Sequence, residues 1–270
     1  MNHPLVRARI NQRVTGDPNL WPLLWFRDAM GDRVPFRRTL SIGCGVGNLE
    51  RSLVQHGIVS SVTGVDVSAD AIREARRLAA EAGFEQQIQY EAADSKEFLA
   101  LQEGADAIFF HASLHHFSGL GAFLGLVRSA LKPSGILYAD EYVGPARSEW
   151  SLARLAVLNF IYRSLPSDIR RVGIIRRPIN YEDPTEAIES SGTLPAIENS
   201  FRILYRRDYG GNLLSVIYPA LRRPSNIQDP LGPPFHKAVE RLLDLEDTLT
   251  RQDGFFKATS FNSLVVAERA

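Results

Sequence analysis

The chain has 270 residues, 44% of them hydrophobic, and its 31 Lys+Arg balance 31 Asp+Glu to leave no formal net charge. A chain near this length buries roughly three quarters of its unfolded surface and needs neither disulfide nor metal to hold together; the single cysteine, Cys44, excludes an internal disulfide framework. The charge balance argues against a dedicated nucleic-acid binder, which shows a basic footprint.

In chain order, residues 1–9 carry no apolar core of signal-peptide length. Leu20 to Met30, with Trp21, Trp25 and Phe26, reads as a helix near a pocket mouth. Residues 39–143 then alternate strand and helix patterns. Thr39 to Ile42 is a short strand that ends in the loop Gly43-Cys44-Gly45-Val46-Gly47, and a helix through Leu49, Leu53 and Val54 stops at Gly57. Ser61 to Val67 is a β-branched strand. Ser68 caps a helix whose Ile72, Ala75, Leu78, Ala79 and Ala82 recur at helical spacing before Gly83. Ile88 to Ala93 is a third strand and Ser95 to Leu101 a short helix. Ala105 to Ala112 is apolar enough for a central strand, Phe117 to Leu131 is helical, and Ile136 to Val143 makes a fifth strand. Five strands joined by helical crossovers predict a doubly wound parallel sheet.

The pattern changes after residue 143. Residues 144–200 read as helical and proline-punctuated, with Trp150 to Leu165 the longest helix. That stretch is also the most apolar, but Arg154, Asn159 and Arg163 break it, and no run reaches the roughly 18 apolar residues of a membrane span. A soluble, cytoplasmic protein is expected. Strand patterns return at Phe201 to Arg206 and Asn262 to Glu268. Between them lie Tyr209-Gly210-Gly211, an apolar stretch from Leu213 to Leu221, a loop with Pro224, Pro230, Pro233 and Pro234, and a charged helix from His236 to about Thr250. The expected organisation is one compact domain: an N-terminal helical segment (1–38), a sheet core (39–143), a helical cap insertion (144–200), and final strands (201–270) carrying a second insertion (210–258).

In open α/β sheets, ligands sit beyond the carboxyl ends of the strands, where strand order reverses. Four features fall at such ends. The glycine loop lets backbone approach a ligand closely. Asp66 ends the second strand, placed to accept from both hydroxyls of a ribose, and Asp94 ends the third, placed for an exocyclic amine. His111 to His116 follow the fourth strand and face the reacting end. Together they indicate a nucleoside site. A dinucleotide fingerprint needs G-x-G-x-x-G, and its third glycine would fall at Asn48; the spacing here is G-x-G-x-G.

On these residues the chain resembles the class I S-adenosylmethionine (SAM)-dependent methyltransferases. Leu40 to Gly47 is similar to their first motif, Gly64-Val65-Asp66-Val67-Ser68 to the ribose-binding strand end, and Ala93-Asp94 to the adenine segment. Ser113-Leu114-His115-His116-Phe117 resembles their "LHH" signature, and Leu131-Lys132-Pro133-Ser134-Gly135 their turn before the fifth strand. The resemblance implies a Rossmann-like α/β fold with a seven-stranded sheet, mostly parallel with its last strand antiparallel, and helical caps. It implies SAM as cofactor, S-adenosylhomocysteine as product, and cofactor contacts from Ser41, Gly43, Cys44, Gly45, Gly47, Asp66, Val67, Asp94, Ser95 and His111. One departure stands out: relatives place an acid where this chain has Ser41, so a substitute acid from elsewhere is one expectation and weaker binding the other. Asp140-Glu141-Tyr142-Val143-Gly144-Pro145, Leu165-Pro166, Asp183-Pro184-Thr185-Glu186-Ala187 and Arg207 to Leu214 resemble a bacterial group associated with glycan gene sets.

Methyl transfer from a sulfonium is an in-line displacement that needs positioning, and a base only for a hydroxyl or protonated amine acceptor. The candidates for proton transfer are His115, His116 and Glu141, with Tyr142, Asp208 and Tyr209 as substrate contacts. Each has a plainer alternative: one histidine inside the packing, Glu141 paired with Arg147, the tyrosines as packing aromatics, Asp208 as a solvated charge. No third ligand at fixed spacing accompanies the histidine pair, so no metal is expected. Cys44 reads as a packed small residue. Arg163, Arg170, Arg171, Arg176 and Arg177 are either a solvated helix face or a site for an acidic glycan or nucleotide-sugar. The acceptor is a small molecule or glycan. The alternatives are a SAM-binding subunit without turnover, encouraged by Ser41, and a protein or nucleic-acid methyltransferase. Oligomeric state stays open.

Overall fold

The computed structural model describes residues 3–178, 180, 182–225, 229, 231–250 and 259–269. Pro230 and residues 251–258 of the expected second insertion, and the first two residues, lie outside these.

Seven strands form one sheet: β1 (Thr39–Ile42), β2 (Val62–Asp66), β3 (Ile88–Ala92), β4 (Ala105–His111), β5 (Leu131–Tyr142), β6 (Arg202–Gly210) and β7 (Asn262–Glu268), in the order β3-β2-β1-β4-β5-β7-β6. β1 to β5 pair in parallel, and β7 runs antiparallel to both β5 and β6. This is the expected mostly parallel sheet with its last strand reversed. Strand order turns between β1 and β4, which opens a crevice at their carboxyl ends.

Successive residues of β4 point to opposite faces, and the helices divide accordingly. Phe110 packs with Leu120, Phe123 and Leu124 of α6 (Leu120–Ala130) and with Phe98 of α5 (Ser95–Ala100). Phe109 packs on the other face with Phe26 of α2 (Pro22–Met30), Leu53 of α3 (Asn48–Gln55) and Ile72 and Ala75 of α4 (Ala69–Glu81). Phe26 reaches Tyr138 and Phe109 edge-on, with ring centroids 4.8 and 5.9 Å apart. Ser68 caps α4 through its hydroxyl, as expected, and Ile72, Ala75 and Ala79 are its buried stripe.

Several boundaries differ from the expected ones. The segment before α6 is a single 3₁₀ turn, Leu114–His116, because Gly119 at φ 65° resets the chain before the helix starts. β6 runs past Arg206 to Gly210, paired with β7 through two bulges, between Ile203 and Tyr205 and between Asp208 and Gly210. Pro4–Thr15 forms a helix, α1, that the weakly patterned sequence does not announce; Pro at its first turn and Gly16 at its end delimit it, and Val6 and Val14 anchor it.

Between β5 and β6 lie α7 (Leu152–Arg163) and α8 (Thr193–Ser200), and between β6 and β7 lie α9 (Leu214–Ile217) and α10 (Gly232–Leu249). Leu158 and Tyr162 of α7, Leu213 to Leu221, and Val239 and Leu242 of α10 share a separate apolar core. Glu246 of α10 ties this cap to the end of β6 by accepting from the amides of Gly211, Leu213 and Leu214 at 2.9, 2.8 and 3.1 Å. The arginines after Arg163 do not form a helical face. α7 has ended, and Arg171 donates to the Pro219 carbonyl at 2.9 Å within the cap. Among the described residues no helix is long and apolar enough to cross a membrane.

Candidate cofactor and acceptor site

The loops after β1, β2, β3 and β4 surround a cavity of about 780 Å³ whose wall includes Gly43, Gly45, Asp66, Val67, Asp94, Ser95, Ser113, His116, Asp183 and Thr185. Gly43, Gly45 and Gly47 all have positive φ. A side chain on Gly43 would start 2.6 Å from Ser113 Cβ, whereas one on Gly45 would meet nothing within 4 Å. The first glycine therefore lets two loops touch, and the second leaves bare backbone on the open side. Asp66 Oδ2 accepts from the Gly45 amide at 2.9 Å and Oδ1 from the Ser68 amide at 2.8 Å, which fixes the loop to the end of β2. Each oxygen keeps a lone pair for a sugar hydroxyl. Asp94 Oδ1 caps α5 by accepting from Lys96 and Glu97 at 2.8 and 3.1 Å. Its Oδ2 has no hydrogen bond among the described residues.

Ser41 is buried under the loop, next to Glu50 from the first turn of α3. Glu50 is fully buried, and neither carboxylate oxygen meets a hydrogen-bond partner in good geometry. Burial pushes this carboxyl up, and the neighbouring Ser41 hydroxyl pulls it back in part. The site thus has a carboxyl beside position 41, delivered from nine residues downstream. Burial likewise pushes the Cys44 thiol up, with Glu50 and Asp66 adding to it, so Cys44 is a packed thiol and no nucleophile.

The other wall carries imidazoles and acids. Glu141, at 2% exposure, accepts through Oε1 from the Ser113 and Leu114 amides, both at 2.8 Å, and faces His115 Nδ1 through Oε2 at 2.9 Å. Ser113 in turn donates to the Ile42 carbonyl at 2.7 Å, binding this loop to the end of β1. His116 Nδ1 lies 3.0 Å from Thr185 Oγ1 and 3.3 Å from Asp183 Oδ2. Glu186 sets its two oxygens 3.6 Å from His115 Nε2 and 3.7 Å from His116 Nε2. Burial works against charge on His115, but Glu141 prevails and raises its pKa. His111, half-exposed, is raised in the same way: partial burial opposes, and Asp140, 3.4 Å away, outweighs it. Ala112 and Ala187, both non-glycine at positive φ, directly follow His111 and Glu186, a costly backbone held at this wall.

Residues 39–135 match the family described as methyltransferase domain. The ubiquinone biosynthesis O-methyltransferase of Caulobacter sp. (strain K31) is 37% identical over 116 residues, covering 41% of this chain and 43% of that protein. The protein of the same name from Pasteurella multocida (strain Pm70) is 26% identical over 140 residues, covering 48% of this chain and 55% of that one. The chain spans about half the length of the curated relatives it matches. A solved geranyl diphosphate methyltransferase in complex with SAM shares the fold, with a TM-score of 0.55 at 16% identity over 92% of this chain and 84% of that one. Residues 39–135 carry a methyltransferase domain.

Within the methyltransferase domain, the cofactor candidates Gly43, Gly45, Asp66, Val67, Asp94 and Ser95 line one cavity, whereas Ser41, Cys44, Gly47 and His111 are not part of its wall. The three substrate candidates sit elsewhere. Tyr209 donates to Asp140 Oδ1 at 2.7 Å and so backs His111 from inside. Tyr142 donates to the Pro145 carbonyl at 3.0 Å and lies edge-on to His115. Asp208 is engaged by Arg206 and by the Ser263 hydroxyl at 2.7 Å. Glu141 does not pair with Arg147, whose guanidinium reaches the main-chain carbonyls of Asp183 and Pro184. Glu50, Asp183, Thr185 and Glu186 complete the site without having been singled out by chemistry. The only signal for the last three is the segment Asp183 to Ala187, which a single sequence reads as cap loop.

Proposed function

We propose that this chain is a SAM-dependent O-methyltransferase acting on a hydroxyl of a small molecule. One observation carries the reading: the glycine loop, Asp66 and Asp94 share a single chamber with His116, Asp183 and Thr185. A nucleoside end and a proton-handling end are therefore within one ligand's length. When bound, SAM supplies a methyl group on a sulfonium, already a good leaving group. The chain's own residues have two tasks, to hold the reactants in line and to handle the acceptor's proton. Gly45 and Asp66 bind and orient at one end. Glu50, buried beside Ser41, supports this reading by putting a carboxyl near the loop where position 41 lacks one. At the other end, Asp183 and Thr185 hold His116 through Nδ1, so that its Nε2 serves the acceptor end of the chamber.

The small-molecule reading is supported over an acidic glycan because, among the described residues, the cavity wall holds a single cation, Lys96 beside Asp94, and no arginine. The curated relatives named above are O-methyltransferases by name, in line with a hydroxyl acceptor. Two variants test the proposal. Asp66→Ala is expected to weaken SAM binding by about 100-fold in calorimetry, and unchanged affinity would sink the cofactor site. His116→Ala is expected to keep that affinity while slowing methyl transfer to a panel of small hydroxyl acceptors; an unchanged rate would remove the acceptor end.

A further inference from the structure

The geometry of the imidazole wall fixes its tautomers. Thr185 Oγ1 donates its hydrogen to Asp183 Oδ1 at 2.5 Å, so toward His116 Nδ1 it can only accept. His116 Nδ1 therefore carries a hydrogen. His115 Nδ1 likewise donates to Glu141 Oε2, since that carboxylate is held by two backbone amides and accepts throughout. In the neutral imidazoles both Nε2 atoms then present lone pairs. The Glu186 carboxylate lies 3.6 and 3.7 Å from them, beyond hydrogen-bond reach. Two lone pairs facing a carboxylate repel, and either a proton on an Nε2 or a metal ion among the three groups relieves that repulsion. Among the described residues no Lys or Arg pairs with Glu141, Asp183 or Glu186; their ion pairs are with His115 and His116 alone.

We propose that His115, His116 and Glu186 form a site for a divalent transition-metal ion of the zinc or cobalt type, open toward the cavity that His116 lines. Their ligand atoms lie within 4.8 Å of one another. Metal–ligand bonds of about 2.0–2.2 Å in a tetrahedral set separate neighbouring ligands by roughly 3.3–3.5 Å, so a small inward shift completes the site. Two imidazoles with one carboxylate make the three-ligand set of an open zinc centre. Glu141 and Asp183 supply the carboxylates that orient metal-binding histidines from behind. Nitrogen donors favour such ions over magnesium or calcium.

The remaining position suits an oxygen ligand, and a metal there lowers the pKa of a hydroxyl. On the O-methyltransferase reading, that ligand is the acceptor: its O–H proton leaves to solvent, the oxygen bonds to the methyl carbon, and the sulfur keeps the electron pair of the broken C–S bond. This role rests on that reading, whereas metal binding does not.

The test uses untagged full-length protein, stripped with a chelator and titrated with Co²⁺ alone. One equivalent should bind and give the visible absorption of a low-symmetry cobalt site. His116→Ala and Glu186→Gln should abolish the band, and Asp183→Asn should weaken binding by about 10–100-fold. Binding of S-adenosylhomocysteine, measured in the same samples, should persist and reports that each variant is folded. Protein that binds S-adenosylhomocysteine but takes up no cobalt, or a Glu186→Gln variant with unchanged cobalt affinity, would overturn the metal site. Loss of S-adenosylhomocysteine binding in the wild type with the cobalt band intact would instead overturn the cofactor reading.

Discussion

At the amino ends of the parallel strands, Asp106 accepts from the Arg37 and Arg38 amides at 2.8 and 2.9 Å and pairs with Lys132, while Glu268 pairs with Arg33 and Arg202. At the carboxyl ends, Glu141, Asp183 and Glu186 meet imidazoles, a hydroxyl and backbone amides, and Glu50 meets no partner in good geometry. The same residue type is neutralised by fixed cations at one end and left to titratable or exchangeable ones at the other. Fixed guanidinium and ammonium groups favour a permanent anion, which suits scaffolding. A carboxylate beside imidazoles keeps its field available for a cationic ligand, a proton or a metal, at a cost in desolvation that the rest of the fold must offset.

This contrast can be broken in three places. The largest effect is expected for Glu141→Ala, which leaves the Ser113 and Leu114 amides and His115 Nδ1 without their acceptor in a buried site. A loss of about 3 kcal/mol in denaturant unfolding is expected, with Glu141→Gln recovering part of it because the amide oxygen still accepts. A loss below about 1 kcal/mol would show that the two ends do not differ as described. Glu50→Gln should separate stability from binding. Removing a buried ionisable group without hydrogen bonds should leave the melting temperature unchanged or higher, while SAM affinity falls by about tenfold, roughly 1.4 kcal/mol. Equal affinity in calorimetry would dismiss Glu50 as the acid serving the cofactor.

The smallest effect is expected for Asp106→Asn, about 1 kcal/mol, since Lys132 is half-exposed and solvent screens the pair. Burial opposes the Asp106 charge, but Lys132 and the two amides outweigh it and hold the pKa below the ordinary 3.8. A depressed carboxylate pKa contributes stability that is complete above 3.8 and fades as pH falls through the folded-state value. Melting curves from neutral pH down to about pH 3 should therefore converge for the wild type and Asp106→Asn at the acid end. A constant gap would assign the difference to shape rather than charge.

Much of the core was legible because its signals are local. Alternating strand and helix patterns from Thr39 to Tyr142 give the parallel sheet, and the positions of Gly43, Gly45, Asp66 and Asp94 at strand ends follow from the connection rule for such sheets. The helix cap Ser68 is written in adjacent residues. The edge of the molecule was less legible. α1 has too few apolar positions to show, and Leu213 to Leu221 became a short buried helix and turn packed into the cap's apolar core. Tyr142, Asp208 and Tyr209 looked like ligands only because they lie near strand ends, and their partners come from 2 to 69 residues away.

The sequence by itself determined the parallel sheet, the existence of its first five strands, and the glycine loop with its two aspartates, since each depends on periodicity or on spacing along one segment. Only the tertiary structure decided that an acid stands beside Ser41, delivered by Glu50 across the loop, and that Asp183, Thr185 and Glu186 come back from the cap to meet His115 and His116. Those contacts join residues nine and about seventy positions apart, set by where a helix starts and how an insertion folds back. No local pattern records either.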